Sequence, residues 1–110
     1  MKLPNCENAY VDIRKLRDYC LSTTHPVGKH KAKVFLSALG ITADDSEQLR
    51  DIIADKACDD RSLAAKTDEY GTRYTLDILV EINNHNASVR TAWIIKDGED
   101  FPRLTTCYVV

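Results

Sequence analysis

No stretch of this chain approaches the ~20 consecutive apolar residues that a membrane-spanning helix needs, so no such helix is expected. The N-terminal Met1-Lys2-Leu3-Pro4-Asn5 lacks the apolar core of a secretory signal, which sets the expectation of a cytoplasmic protein. There is no internal repeat, linker or low-complexity tract. The 110 residues are therefore expected to form one domain, 1–110, and with 44% apolar residues they can build one ordinary core. The four cysteines, Cys6, Cys20, Cys58 and Cys107, include no C-x-x-C pair, and without an export signal they are expected to stay reduced. His25 and His30 are the only closely spaced zinc-ligand types, and they bracket a turn, so no metal site is expected. Ser-His-Asp, Gly-rich nucleotide-loop, H-E-x-x-H and paired-carboxylate patterns are also missing. That leaves metal, ATP and dinucleotide chemistry without support, and no cofactor is expected.

A basic excess is lacking as well. The formal net charge is −2, which argues against a generic nucleic-acid binder. The distribution is uneven, however. Residues 1–43 carry seven positive and three negative charges, whereas 44–60 carry two positive and seven negative. The basic charge thus belongs to the first two expected helices, and the acidic block reads mainly as a solvated helix face.

The segment that stands out is His25-Pro26-Val27-Gly28-Lys29-His30-Lys31-Ala32-Lys33, where a histidine on a Pro-Gly turn leads into a cationic helix start. Before it, Asp12 is placed as the N-cap of a helix over about 12–21, with Ile13, Leu16, Tyr19 and Cys20 at helical spacing. Cys20 on that stripe reads as core. The second helix covers about 29–39, buries Ala32, Phe35, Leu36 and Leu39, and ends at a left-handed Gly40. Thr42 and Asp45 form a capping box for a third helix over about 44–58, which turns Leu49, Ile52, Ile53 and Ala57 inward.

Beyond Lys66 the period changes to two. Strands are expected over about 73–82, 87–96 and 103–110, with a hairpin loop at Asn83-Asn84-His85-Asn86 and a weaker strand over 65–70. Both faces of 87–96 are apolar, which makes that strand central. Helices followed by a meander mean an α+β fold, with N-terminal helices on one face of an antiparallel sheet of three to four strands.

His25 is a loop imidazole suited to general acid or base work near neutral pH. Gly28 opens a helix whose N-terminus, flanked by Lys29 and Lys31, suits a phosphate. On the last strand strict alternation puts Arg103, Thr105 and Cys107 on one face and Leu104, Thr106 and Tyr108 on the other, so Arg103 with Thr105 forms a candidate phosphate fork. Trp93 is a candidate base-stacking ring, although a central strand favours core. Helical rotation of ~100° per residue separates the cations. With Ala32 inward, Lys31 and Lys33 fall on opposite flanks and His30 points outward, so Lys31 pairs with His25 and Lys33 is solvent charge.

One ordered set of motifs spans nearly the whole chain. It runs through Leu3-Pro4-Asn5, His25-Pro26-x-Gly28-x-x-Lys31-Ala32-x-x-Phe35, Leu39-Gly40, Tyr70-Gly71, Trp93-Ile94, Gly98 and Pro102-Arg103-Leu104-x-Thr106-x-Tyr108. This set resembles a family of small bacterial domains found as stand-alone proteins and as C-terminal tips of polymorphic secreted toxins. Their layout is similar to the superfamily of barnase, EndoU, the tRNase colicins and RelE-type toxins. The resemblance implies a metal-independent endoribonuclease of a toxin–antitoxin or defence system, with RNA as substrate and a small antitoxin or immunity protein as partner. It nominates His25, Lys31, Arg103, Thr106 and Tyr108 as catalytic, with Gly28 shaping the turn. Lys29, His30, Trp93 and Thr105 follow as substrate-binding candidates. Two other readings stand beside it: a non-enzymatic protein-binding module, antitoxin-like or a degenerate toxin, and a phosphate sensor built on the Gly28 helix start.

Overall fold

Asp12 has extended backbone angles and its carboxylate accepts the Arg14 N–H, so it caps the first helix as its residue type implies. In the computed structural model, which describes residues 1–110, helix α1 covers Ile13–Lys15 and then widens into a π-helical turn over Leu16–Cys20. The Leu21 N–H closes that turn on the Leu16 carbonyl at 2.8 Å. The sequence stripe implies α-helix throughout. The π turn adds one residue to the loop and brings Tyr19 and Cys20 to the edge of the sheet.

Helix α2 (Gly28–Leu39) begins one residue earlier than its spacing implies and buries Ala32, Phe35 and Leu39. Leu36, expected in that stripe, is 51% exposed, because the buried face is narrow and Leu36 lies on its flank. Gly40 ends the helix at φ 67°, a left-handed geometry that glycine adopts without steric cost. The Thr42–Asp45 capping box is present, with a 3-10 turn (Ala43–Asp45) leading into α3 (Ser46–Lys56). Leu49, Ile53 and Ala57 are buried from α3, and Ile52 is half-buried.

Four antiparallel strands follow in the order β1-β2-β3-β4: Leu63–Asp68, Gly71–Ile82, His85–Lys96 and Arg103–Val109. The fold is α+β. The weak first strand lies two residues earlier than its composition implies. The hairpin loop is tighter than expected: Asn83 and Asn84, both at positive φ, make a two-residue turn and His85 already pairs with Ile82. Strand β3 is internal, as its two apolar faces require. Tyr74, Leu76, Ile78, Val80, Val89 and Trp93 meet Leu16, Cys20, Phe35 and Leu49 in one core on the helix side. No helix is long and apolar enough to cross a membrane.

Two corrections concern single side chains. Cys6 and Cys58, expected as thiols, form a disulfide, because a 3-10 turn (Cys6–Asn8) packs against the end of α3. That adjacency is tertiary and has no trace in the cysteine spacing. Trp93 is 1% exposed, and its indole N–H donates to the Thr91 hydroxyl at 2.8 Å, which itself donates to the Leu76 carbonyl. The ring is core and cannot stack a base.

The cross-link joins positions 52 residues apart. Chain-entropy arguments assign about 4 kcal/mol to a loop of that size. A protein with Cys6→Ser and Cys58→Ser should therefore lose unfolding free energy approaching that figure and unfold at clearly lower urea concentration. Identical midpoints for this variant and the parent under non-reducing conditions would contradict the bond.

Candidate functional site

Strand β4 does not alternate simply. Ala92 pairs with Thr106, but the next β3 residue, Trp93, pairs with Leu104, so Thr105 is an extra residue in a bulge. Its hydroxyl donates to the Ala92 carbonyl at 3.1 Å. The bulge reverses the parity of the strand. Leu104 and Cys107 both face the core, whereas Arg103, Thr106 and Tyr108 pair with Ile94, Ala92 and Arg90 of the outer face. Strict alternation had divided Arg103 from Thr106 and Tyr108; the bulge returns them to one side. They still do not meet. Their β3 partners Ile94 and Arg90 are four residues apart, roughly 13 Å by the rise of a strand.

Arg103 is held at the far end. Its guanidinium makes a two-point ion pair with Glu99, at 2.8 Å to each oxygen, and lies against the rings of Tyr10 and Phe101. That pairing holds the Glu99 carboxyl below its usual range. The Arg103–Thr105 phosphate fork is therefore not formed: a carboxylate fills the arginine and the bulge engages the threonine.

At the other end of β4 four elements converge. The Lys31 ammonium donates to the Tyr19 hydroxyl at 2.9 Å and lies 4.9 Å from the Tyr19 ring centre and 5.9 Å from that of Tyr108. Lys31 is half-buried, and no carboxylate lies within ion-pair distance of it. Arg90 sits beside Tyr108 on the outer face. Its pKa is raised by hydrogen bonds to Asp77 and then to the Tyr108 hydroxyl. Lys31, His30, Val34, Tyr108 and Val109 line an open cleft of about 340 Å³. His30 is exposed and makes no side-chain hydrogen bond, so both ring nitrogens are open to a ligand there.

His25 takes a different part. Its Nδ1 accepts the N–H groups of Val27 and Gly28, both at 3.0 Å. The Lys29 N–H goes to the His25 carbonyl and the His30 N–H to that of Val27. The start of α2 is thus capped from within the chain, which removes the free N–H groups on which a phosphate site at Gly28 depended. An imidazole nitrogen that accepts carries no proton, so neutral His25 is protonated at Nε2 and offers a donor rather than a base. Its ring meets Tyr19 edge-on at 4.8 Å and opens into a second cleft with Asp12, Arg14, Lys15 and Asp18, across Tyr19 from Lys31. Gly28 has a packing role, since a methyl there would overlap the Tyr19 carbonyl. Lys29 is exposed and turned away from the cleft lining.

Of the nominated residues, Lys31, Tyr108 and His30 come together, with Thr106 adjacent through Cys20. His25 stands one ring away, and Arg103, Thr105 and Trp93 belong elsewhere. Tyr19 and Cys20 were missed, because on a helical stripe both read as core. The Cys20 sulfur accepts the Cys107 N–H at 3.4 Å and lies 3.7 Å from the Thr106 hydroxyl. A tyrosine at the border of an apolar stripe, with its polar tip beyond it, was the available signal.

The capping role of His25 makes a direct expectation. His25→Ala should lower unfolding stability by about 1 kcal/mol, the usual cost of a lost cap, as measured by chemical denaturation. Unchanged stability would contradict the two Nδ1 bonds.

No curated protein matches the chain. A family model described as Domain of unknown function (DUF6883) matches residues 2–110, and the chain belongs to that family.

Proposed function

We propose that the protein is a metal-independent endoribonuclease of the toxin-like kind, acting at the cleft between α2 and the end of β4. The observation that carries this reading is the Lys31 ammonium. It is half-buried, has no carboxylate partner, and is held between two tyrosines beside a free histidine. A fixed cation of this kind costs little reorganisation when a phosphate arrives. In the reaction the 2′-hydroxyl of the RNA attacks the adjacent phosphorus and the 5′-oxygen leaves, giving a cyclic phosphate. His30 transfers the proton, Lys31 stabilises the crowded phosphate oxygens, and Tyr108 with Thr106 positions the chain. His25 supports the site through the start of α2. A small antitoxin or immunity protein is the expected partner, and its natural target is this same cleft.

A second reading rests on a separate observation. Arg73, Arg90 and Arg103 are each tied to a carboxylate, Asp68, Asp77 and Glu99 respectively, so the outer sheet face offers RNA few free cations. The solvent side of α3 carries Glu47, Asp51 and Asp55. Such a surface suits a non-enzymatic module that binds a basic protein.

Incubation with total RNA in EDTA separates the two. Cleavage is expected from the parent chain, reduced ~10²-fold or more by Lys31→Met and by His30→Ala, with Arg103→Ala much milder. A folded, harmless parent chain that cuts no RNA would sink the enzyme reading and leave the binding module.

A further inference from the structure

The two cysteines outside the disulfide are themselves a pair. Cys20 ends the π turn and Cys107 lies on the core face of β4, and both are fully buried. The Cys107 N–H donates to the Cys20 sulfur at 3.4 Å, and the Cys107 side chain is the largest influence on the Cys20 thiol. The Thr106 hydroxyl stands 3.7 Å from the same sulfur. Cys20 is therefore surrounded by donors, with the Lys31 ammonium nearby as a positive charge. These groups act in the same direction. The Cys107 thiol, then the Cys107 N–H, the Thr106 hydroxyl and Lys31, outweigh burial and bring the Cys20 thiol down to about 7. Cys107 is pushed up instead, since it donates to Cys20, is buried and faces its charge. The first proton to leave the pair thus leaves Cys20.

We propose that Cys20 and Cys107 form a peroxide-reactive dithiol, with Cys20 the attacking sulfur and Cys107 the resolving one. The thiolate of Cys20 attacks one oxygen of hydrogen peroxide, the O–O bond breaks, and hydroxide leaves with the proton that Cys20 released. Cys20 then carries a sulfenic acid. The Cys107 sulfur attacks it, the S–O bond breaks, and the sulfenic oxygen departs as water with the Cys107 proton. Two thiols are oxidised to one disulfide and peroxide is reduced to water.

The reaction also links to its surroundings. The groups that act on Cys20 are Lys31 from α2 and Cys107 and Thr106 from β4, and Lys31 in turn meets Tyr19 and Tyr108. Deprotonation of Cys20 should make the oxidation faster as pH rises, with its midpoint below that of an ordinary thiol. Nothing in this site depends on RNA cleavage.

The test uses the full chain with Cys6–Cys58 intact, treated with hydrogen peroxide and mapped by mass spectrometry without reduction. The expected result is the loss of two hydrogens and a linked Cys20–Cys107 peptide. Cys107→Ser should instead trap a Cys20 sulfenic acid, which dimedone labels when the oxidised protein is denatured in its presence, and Lys31→Met should slow oxidation several-fold while leaving the fold intact. The proposal is overturned if both thiols survive treatment and remain alkylatable after denaturation. It is equally overturned if dimedone labels Cys107 in Cys20→Ser faster than Cys20 in Cys107→Ser, or if the rate is flat across neutral pH.

Discussion

One extra residue in the last strand determines where each β4 side chain of the candidate site points. A strand alternates strictly, so Leu104 and Cys107, three positions apart, cannot both face the core without an interruption. Thr105 supplies it, and its hydroxyl bonds back to Ala92 across the bulge. The consequences spread outward. Cys107 turns inward to meet Cys20, Thr106 and Tyr108 turn outward beside Arg90, and Arg103 remains on the outer face to meet Glu99. The edge of β4 is then partly covered: Tyr10 pairs beside Arg103, and the Cys20 sulfur takes the Cys107 N–H. An unpaired sheet edge is a liability in most folds, and here helix and strand resolve it with one thiol.

The electrostatics of the two ends of β4 differ for the same reason. Near its start, and across the outer face, each arginine finds a carboxylate on a neighbouring strand or turn, so charge is neutralised in place. At its end the cation without a carboxylate is Lys31, which comes from the helix layer and meets rings, a hydroxyl and a thiol instead. An ammonium in such surroundings keeps its charge available to a ligand. The π turn is what brings this about, since it carries Tyr19 and Cys20 to the strand edge rather than along a regular helical stripe.

Much of the scaffold was legible from residue types because the relevant physics is local. Asp12, Gly40, the Thr42–Asp45 box and the Asn83-Asn84 turn each satisfy backbone groups within a few residues, and each appears where its chemistry implies. Period-two alternation placed β2 and β3, and it failed in β4 because a bulge leaves no mark in a pattern of Arg, Leu and Thr. The histidines show the same division. His25 carries the stronger motif, yet its lone pair is spent on the backbone of its own turn, whereas the weaker candidate His30 keeps both nitrogens free.

The sequence by itself determined the α+β order, the caps and turns, the inward stripes of α2 and α3 apart from Leu36, and the central place of β3, since all of these follow from spacing and short-range hydrogen bonding. Only the tertiary structure decided which cysteines meet, that Arg103 belongs to Glu99, and that Lys31 rather than a helix N-terminus is the unneutralised charge of the site. The cysteine pairings depend on contacts between residues tens of positions apart, and the others on where the chain packs rather than on spacing. Such contacts exist only once the sheet edge and the helices have closed on one another.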